Sequence, residues 1–170
     1  LRFETDARGD IASIVADGRP DAAARLDGPV VPGLADLHSH AFQRALAGLG
    51  ERAGPEGDSF WTWRDIMYRF VRRLNPRDVE AIAAQLYVEL ARHGYTSVAE
   101  FHYLHNDPSG ERYDTPTELS DRIVAAAAAA GLGLTLLPVL YQASGFGGAP
   151  PTEGQRRFVL DDDAYADIVE

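Results

Sequence analysis

The chain has 170 residues, 45% of them hydrophobic, which is enough for a sizeable core in one domain of ordinary size. Its net charge of −10 argues against nucleic acid as a partner, because no basic groove is available to neutralise phosphates. All sixteen basic residues are arginine and cysteine is absent, which excludes Schiff-base or carbamylated lysine, disulfides and thiolate metal sites within these residues and fits a reducing cytoplasm.

Residues 1–30 alternate short β-prone pieces, such as 11–15, with Gly18, Pro20 and Gly28, and read as part of a small β-rich N-terminal domain. An apolar run from Val30 follows the turn-forming Pro32-Gly33 into a first strand, 34–37, expected to be buried. A helix fits 60–74, where Trp63, Ile66, Met67, Phe70, Val71 and Leu74 share one face and read as core packing. A second helix opens at Asn75-Pro76, an N-cap followed by proline at the first helical position. It buries Val79, Ile82, Ala83, Leu86, Tyr87 and Leu90 and ends at Gly94.

Residues 95–103 are rich in β-branched and aromatic types and predict the next strand. Thr115-Pro116-Thr117-Glu118 reads as a capping box opening a third helix that runs to Gly131. A strand over 134–141, a Gly/Pro-rich loop over 144–151 and a helix starting at Asp161 follow. The uncharged stretch 123–140 is broken by Gly131-Leu132-Gly133 and ends at Pro138, so it reads as a helix and a buried strand rather than a membrane span, and no membrane partner is expected.

Strands alternating with helices predict βαβ units with a parallel sheet, both faces of which are expected to be covered. A doubly wound sheet and a (β/α)8 TIM barrel both fit. Metal-ligand residues at a strand's C-terminal end favour the barrel, whose sites sit on that face. A barrel needs about 250 residues, so 31–170 would hold its first three β/α units. The absence of an initiator methionine, and a last segment that reads as an unfinished helix, point to a piece of a larger protein.

His38-Ser39-His40 closes the first apolar run. Alternate residues of a strand point the same way, so two imidazoles converge, and neutral imidazole suits zinc or iron. The long connection that follows, 41–74, contains Gln43, Arg44, Trp61, Trp63 and Arg64 and reads as functional. Glu100 and His102 share one face of the second strand, with Tyr103 on the other. His102 or His105 could supply a third ligand. A hydrogen-bonded histidine in the layer below the site is the favoured reading, since no second ligand spacing supports either one. Gly145-Phe146-Gly147-Gly148 lacks phosphate-cradle spacing and reads as a mobile rim loop.

Val31 to His40 resembles the first barrel strand of the amidohydrolase superfamily, whose H-x-H pair binds a catalytic metal. Longer strings are similar to the formimidoylglutamate deiminase family within it: His38-Ser39-His40-Ala41-Phe42-Gln43-Arg44-Ala45, Ser59-Phe60-Trp61-Thr62-Trp63-Arg64, Ala99-Glu100-Phe101-His102-Tyr103, and Leu137-Pro138-Val139-Leu140-Tyr141 with the 144–148 loop. The resemblance covers roughly 31–158. It implies His38 and His40 as ligands of one divalent ion, zinc or else iron. It implies Gln43, Arg64 and Tyr103 as the binding groups for N-formimino-L-glutamate. The implied reaction is metal-assisted hydrolysis to N-formyl-L-glutamate and ammonia. The remaining ligands and the proton-transfer groups would lie on later strands, so no catalytic residue is assigned here, and this segment alone is expected to be inactive. A homodimer is compatible with the resemblance. Two other readings are an aminopyrimidine or purine deaminase, whose neutral substrate needs no arginine clamp, and a non-catalytic fragment.

Overall fold

The structure, a computed structural model, describes residues 1–16, 26–49 and 60–170. Gly18, Pro20 and Ser59, named above, lie outside the described residues. The chain divides into two compact units, Leu1–Pro32 and Gly33–Glu170.

In the first unit, β1 (Arg2–Thr5) and β2 (Ile11–Val15) form an antiparallel hairpin with Phe3 opposite Ile14. Asp6 ties the turn: its Oδ1 accepts the N–H groups of Arg8 at 2.8 Å and Asp10 at 3.0 Å, the local bonding that makes aspartate a turn residue.

The second unit is built on three parallel strands in the order β3 (Leu34–Ser39), β4 (Tyr95–His102) and β5 (Gly133–Pro138). Helices α1 (Phe60–Val71) and α2 (Pro76–Arg92) separate β3 from β4, α3 (Glu118–Ala130) separates β4 from β5, and α4 (Asp162–Val169) follows. Gly33 lets β3 approach β4 closely, since a Cβ there would lie 2.2 Å from Thr96 Cγ2.

Helix α2 starts as its sequence predicts. Asn75 Oδ1 accepts from the Arg77 and Asp78 N–H groups, and Asp78 Oδ2 accepts from the Asn75 N–H. Helix α3 does not. Its N-cap is Thr117 and no side chain caps it, so the box expected at Thr115–Glu118 is not formed. The Glu118 carboxylate turns instead to the Arg122 guanidinium, at 2.8 and 3.0 Å, because a charge-assisted pair one turn on is stronger than a bond to a neutral N–H.

Val79, Ala83 and Tyr87 of α2 and Leu119, Ile123, Ala126 and Ala127 of α3 form the core with Val98 of β4. Burial alternates along β4: Val98, Glu100 and His102 are buried while Phe101 is 42% exposed. Helices α2 and α3 therefore cover one face of the sheet, which corrects the expectation that such helices cover both. Leu34 and Leu37, expected to be buried, are 52% and 79% exposed. The strand order explains this. Two right-handed crossovers stepping the same way across a sheet place both helices on one side. That is barrel progression; a doubly wound sheet reverses its order and covers both faces. Among the described residues, no helix is long and apolar enough to cross a membrane.

Candidate active site

The site begins with an irregularity in β3. Asp36 pairs with Val98 and Ser39 pairs with Glu100, so three steps along β3 face two along β4, a β-bulge. Laterally paired residues share a face, so Asp36 belongs to the helix-covered side. A regular period of two would have carried His38 and His40 to that side as well. The extra residue reverses the alternation. Ser39 is buried there instead, beside Glu100, and both histidines turn to the open face. The His38 N–H is accepted by Asp36 Oδ1 at 3.1 Å.

On that face, His38 Nε2 lies 3.0 Å from His40 Nε2. Two ring nitrogens this close share either a proton or a cation, and both are within reach of one ion at ordinary zinc–nitrogen distances of about 2.0–2.1 Å. His40 Nδ1 bonds to the Phe101 carbonyl at 3.0 Å, which assigns its N–H to Nδ1 and leaves the Nε2 lone pair outward. Burial lowers the His40 pKa below the usual imidazole value, and His38 lowers it further, while the Phe101 carbonyl opposes the shift. The donor set fits a metal that binds neutral imidazole. Among the described residues, no group of three or more His, Cys, Asp or Glu side chains is placed to hold an ion, so the described residues offer two candidate ligands.

His38, His40, Gln43, Arg64 and Tyr103 line one cavity of about 510 Å³, with Trp63, Met67, Phe101 and Phe158 among its walls. Gln43 stands on a 3-10 turn, Ala41–Leu46, that directly follows His40. Its Nε2 donates to the Tyr103 hydroxyl at 2.7 Å. That hydroxyl in turn donates to Met67 Sδ, at 3.9 Å, a weak bond that a better acceptor would displace. Arg64, on α1, lies over the Trp61 ring at 4.4 Å and the Tyr68 ring at 5.5 Å. Its Nε is buried without a hydrogen-bond partner among the described residues. The cavity thus pairs an underused guanidinium with two converging imidazoles. Arg44 points elsewhere, to Glu89 at 2.7 and 3.0 Å. A neighbouring cleft of about 740 Å³, on the side of Arg69 and Arg72, contains no histidine.

His102 and His105 do not line the cavity. Both are buried, edge to face with ring centroids 5.3 Å apart, and His105 Nε2 bonds to the Val139 carbonyl at 3.0 Å. Burial pulls His102 down to about 3 and His105 down to about 4. They lie beneath the sheet face that carries His38 and His40. The 144–151 loop closes on itself through the Ser144 N–H and the Ala149 carbonyl at 2.8 Å, with Phe146 exposed at its tip.

Sequence reasoning assigned no role to three residues that shape this site. Asp36 carries the bulge. Glu100, 1% exposed, accepts the Ala41 N–H at 2.6 Å and the Tyr87 hydroxyl at 3.2 Å, and burial raises its carboxyl above the usual range. Arg157, fully buried, donates to the carbonyls of Val71, Leu74 at 2.9 Å and Asn106 at 2.8 Å, tying down the end of the helix that carries Arg64. A charged side chain inside an apolar run was the available signal, and it applied to Asp36 and Glu100 but not to Arg157.

Residues 30–161 match the amidohydrolase family model. The whole chain is 58% identical to the formimidoylglutamate deiminase of Pseudomonas aeruginosa and spans 38% of that protein's length. A crystal structure of an amidohydrolase from Brucella melitensis superposes with a TM-score of 0.78 at 52% identity, over 86% of this chain and 34% of that one. A mutant atrazine chlorohydrolase from Arthrobacter aurescens, solved with zinc and atraton, shares the fold at a TM-score of 0.54 and 20% identity, over 79% of this chain and 28% of that one.

Proposed function

This chain belongs to the amidohydrolase family, and from that premise we propose that the protein it forms part of hydrolyses N-formimino-L-glutamate to N-formyl-L-glutamate and ammonia, a cytoplasmic step of histidine degradation. The observation that carries this reading is a single cavity in which two imidazole Nε2 atoms meet at 3.0 Å and the Arg64 guanidinium keeps a buried Nε with no partner among the described residues. The 58% identity to a formimidoylglutamate deiminase supports it. In domain terms, 1–30 is part of a small β-rich N-terminal domain and 31–170 forms the first three β/α units of a (β/α)8 barrel.

His38 and His40 hold one divalent ion, zinc or else iron. When bound, a zinc ion supplies Lewis acidity and lowers the pKa of water from 15.7 to about 7. This chain's own residues bind and orient the substrate, which presents two carboxylates and a formimino group. Arg64 is the cation for one carboxylate. Trp61 and Tyr68 lie against the guanidinium, their ring centroids 4.4 and 5.5 Å from its Cζ, and a planar guanidinium is the group that pairs bidentately with a carboxylate. The Tyr103 hydroxyl donates a hydrogen bond to a substrate oxygen in place of the weak Met67 contact, and Gln43 holds that hydroxyl in place by donating to it. The apolar walls thin the water around these charged bonds and so strengthen them. Substrate-binding groups, and not proton-transfer groups, are what these residues supply.

The test is ammonia release by the full-length protein. N-formimino-L-glutamate yields ammonia and N-formylglutamate, and neutral aminopyrimidines and aminopurines do not. Turnover of a neutral base with no action on N-formimino-L-glutamate overturns the reading in favour of a different deaminase.

A further inference from the structure

The metal-binding pair sits on a segment that the sheet does not hold by ordinary pairing. The bulge takes the His38 N–H off the ladder, and at Ala41 the chain leaves β3 for the 3-10 turn that carries Gln43. The far end of this segment is fixed by one buried side chain. Glu100 Oε1 accepts the Ala41 N–H at 2.6 Å, and Tyr87, itself fully buried on α2, donates to Oε2 at 3.2 Å. The residue after Glu100 holds the ring of the residue before Ala41: the Phe101 carbonyl bonds His40 Nδ1 at 3.0 Å. Two adjacent positions of β4 therefore grip both the backbone and the imidazole of the His40–Ala41 step, one from the helix-covered face and one from the strand itself.

We infer that Glu100 is a positioning residue for the histidine pair: through the Ala41 N–H it fixes His40 so that its Nε2 meets that of His38 and its Nδ1 stays on Phe101. The inference rests on the proposed metal-binding role of His38 and His40. Glu100 touches neither ion nor substrate. Its carboxylate is buried, with Ala41, Tyr87 and Ser39 beside it. If it is withdrawn, the Ala41 N–H is left buried without an acceptor, and the turn must move to satisfy it. Any such movement drags His40 off the Phe101 carbonyl, releasing both the tautomer and the angle of one ligand. Partners that orient ligating histidines are worth about 10–100-fold in metal affinity.

The experiment uses the full-length protein, with zinc affinity measured by competition against a chelator and the ligand field read from the absorption of the cobalt-substituted form. Glu100→Gln keeps an amide oxygen where Oε1 stands and is expected to bind zinc within a few-fold of wild type. Glu100→Asp withdraws the acceptor by one methylene, and Glu100→Leu removes it. Both are expected to lose about 10-fold or more in zinc affinity and to shift the cobalt spectrum. Tyr87→Phe keeps the Ala41 bond and separates loss of packing from loss of positioning: it is expected to lower thermal stability with zinc affinity unchanged. Should Glu100→Leu fail to fold, Glu100→Asp carries the test. Wild-type zinc affinity and an unshifted cobalt spectrum in Glu100→Asp overturn the inference. A wild-type protein that binds neither ion instead overturns the metal reading beneath it.

Discussion

Acid should weaken this fold through two histidines that take no part in the proposed chemistry. His102 and His105 are 2% and 4% exposed, lie edge to face, and are held far below an ordinary imidazole, at about 3 and about 4, by burial. The unfolded chain protonates them near 6.5. The folded pKa values are depressed, so the folded state binds fewer protons and stability falls as pH drops below about 6.5, levelling only near the folded values. At pH 5 the unfolded state gains about 2 kcal/mol from each histidine, by linkage over roughly one and a half pH units. The perturbation is His102→Leu, which removes one titration and relieves a buried nitrogen that has no partner among the described residues. The assay is urea unfolding of the full-length protein at pH 7 and pH 5, comparing each protein with itself. Wild type should lose about 2 kcal/mol more than His102→Leu between the two pH values. Equal losses would mean that His102 titrates normally and is not enclosed as described.

Two further outcomes follow from the same geometry. Arg64→Met in the full-length enzyme should raise KM for N-formimino-L-glutamate about 10- to 100-fold, the worth of a charged hydrogen bond, with metal content unchanged; an unaltered KM removes Arg64 from the pocket. Arg157→Met leaves the Val71, Leu74 and Asn106 carbonyls without their buried donor and should cost about 3 kcal/mol or more, read as a lower urea midpoint.

The elements of this fold were largely readable because their signals are local. Asn75-Pro76 caps α2, Gly131 ends α3 in a left-handed conformation with φ of 70°, and alternating burial runs along β4. Burial itself was not local. Leu37 sits in an apolar run and is nonetheless 79% exposed, because β3 is an edge of the three-stranded sheet and α2 and α3 pack on the other side. At Thr115 to Glu118 the capping pattern was present, but Arg122 competed for the glutamate. In the site, the spacing of His38 and His40 correctly places both on one side of the strand. Which side that is depends on a bulge at Leu37 and His38 that no residue type there announces. Arg157 was unreadable for a related reason: it follows Arg156 in a polar stretch and looks like a surface residue, yet its guanidinium ends against carbonyls 51 to 86 positions away.

The most direct test of the account is the metal content of the full-length protein and of its His38→Ala and His40→Ala variants, measured after purification and again after reconstitution with zinc. The convergence of two Nε2 atoms predicts one divalent ion per chain in wild type and its loss in each variant, with circular dichroism unchanged. Full occupancy in both variants would contradict it, because the ion would then be held without the histidines on which this site is built.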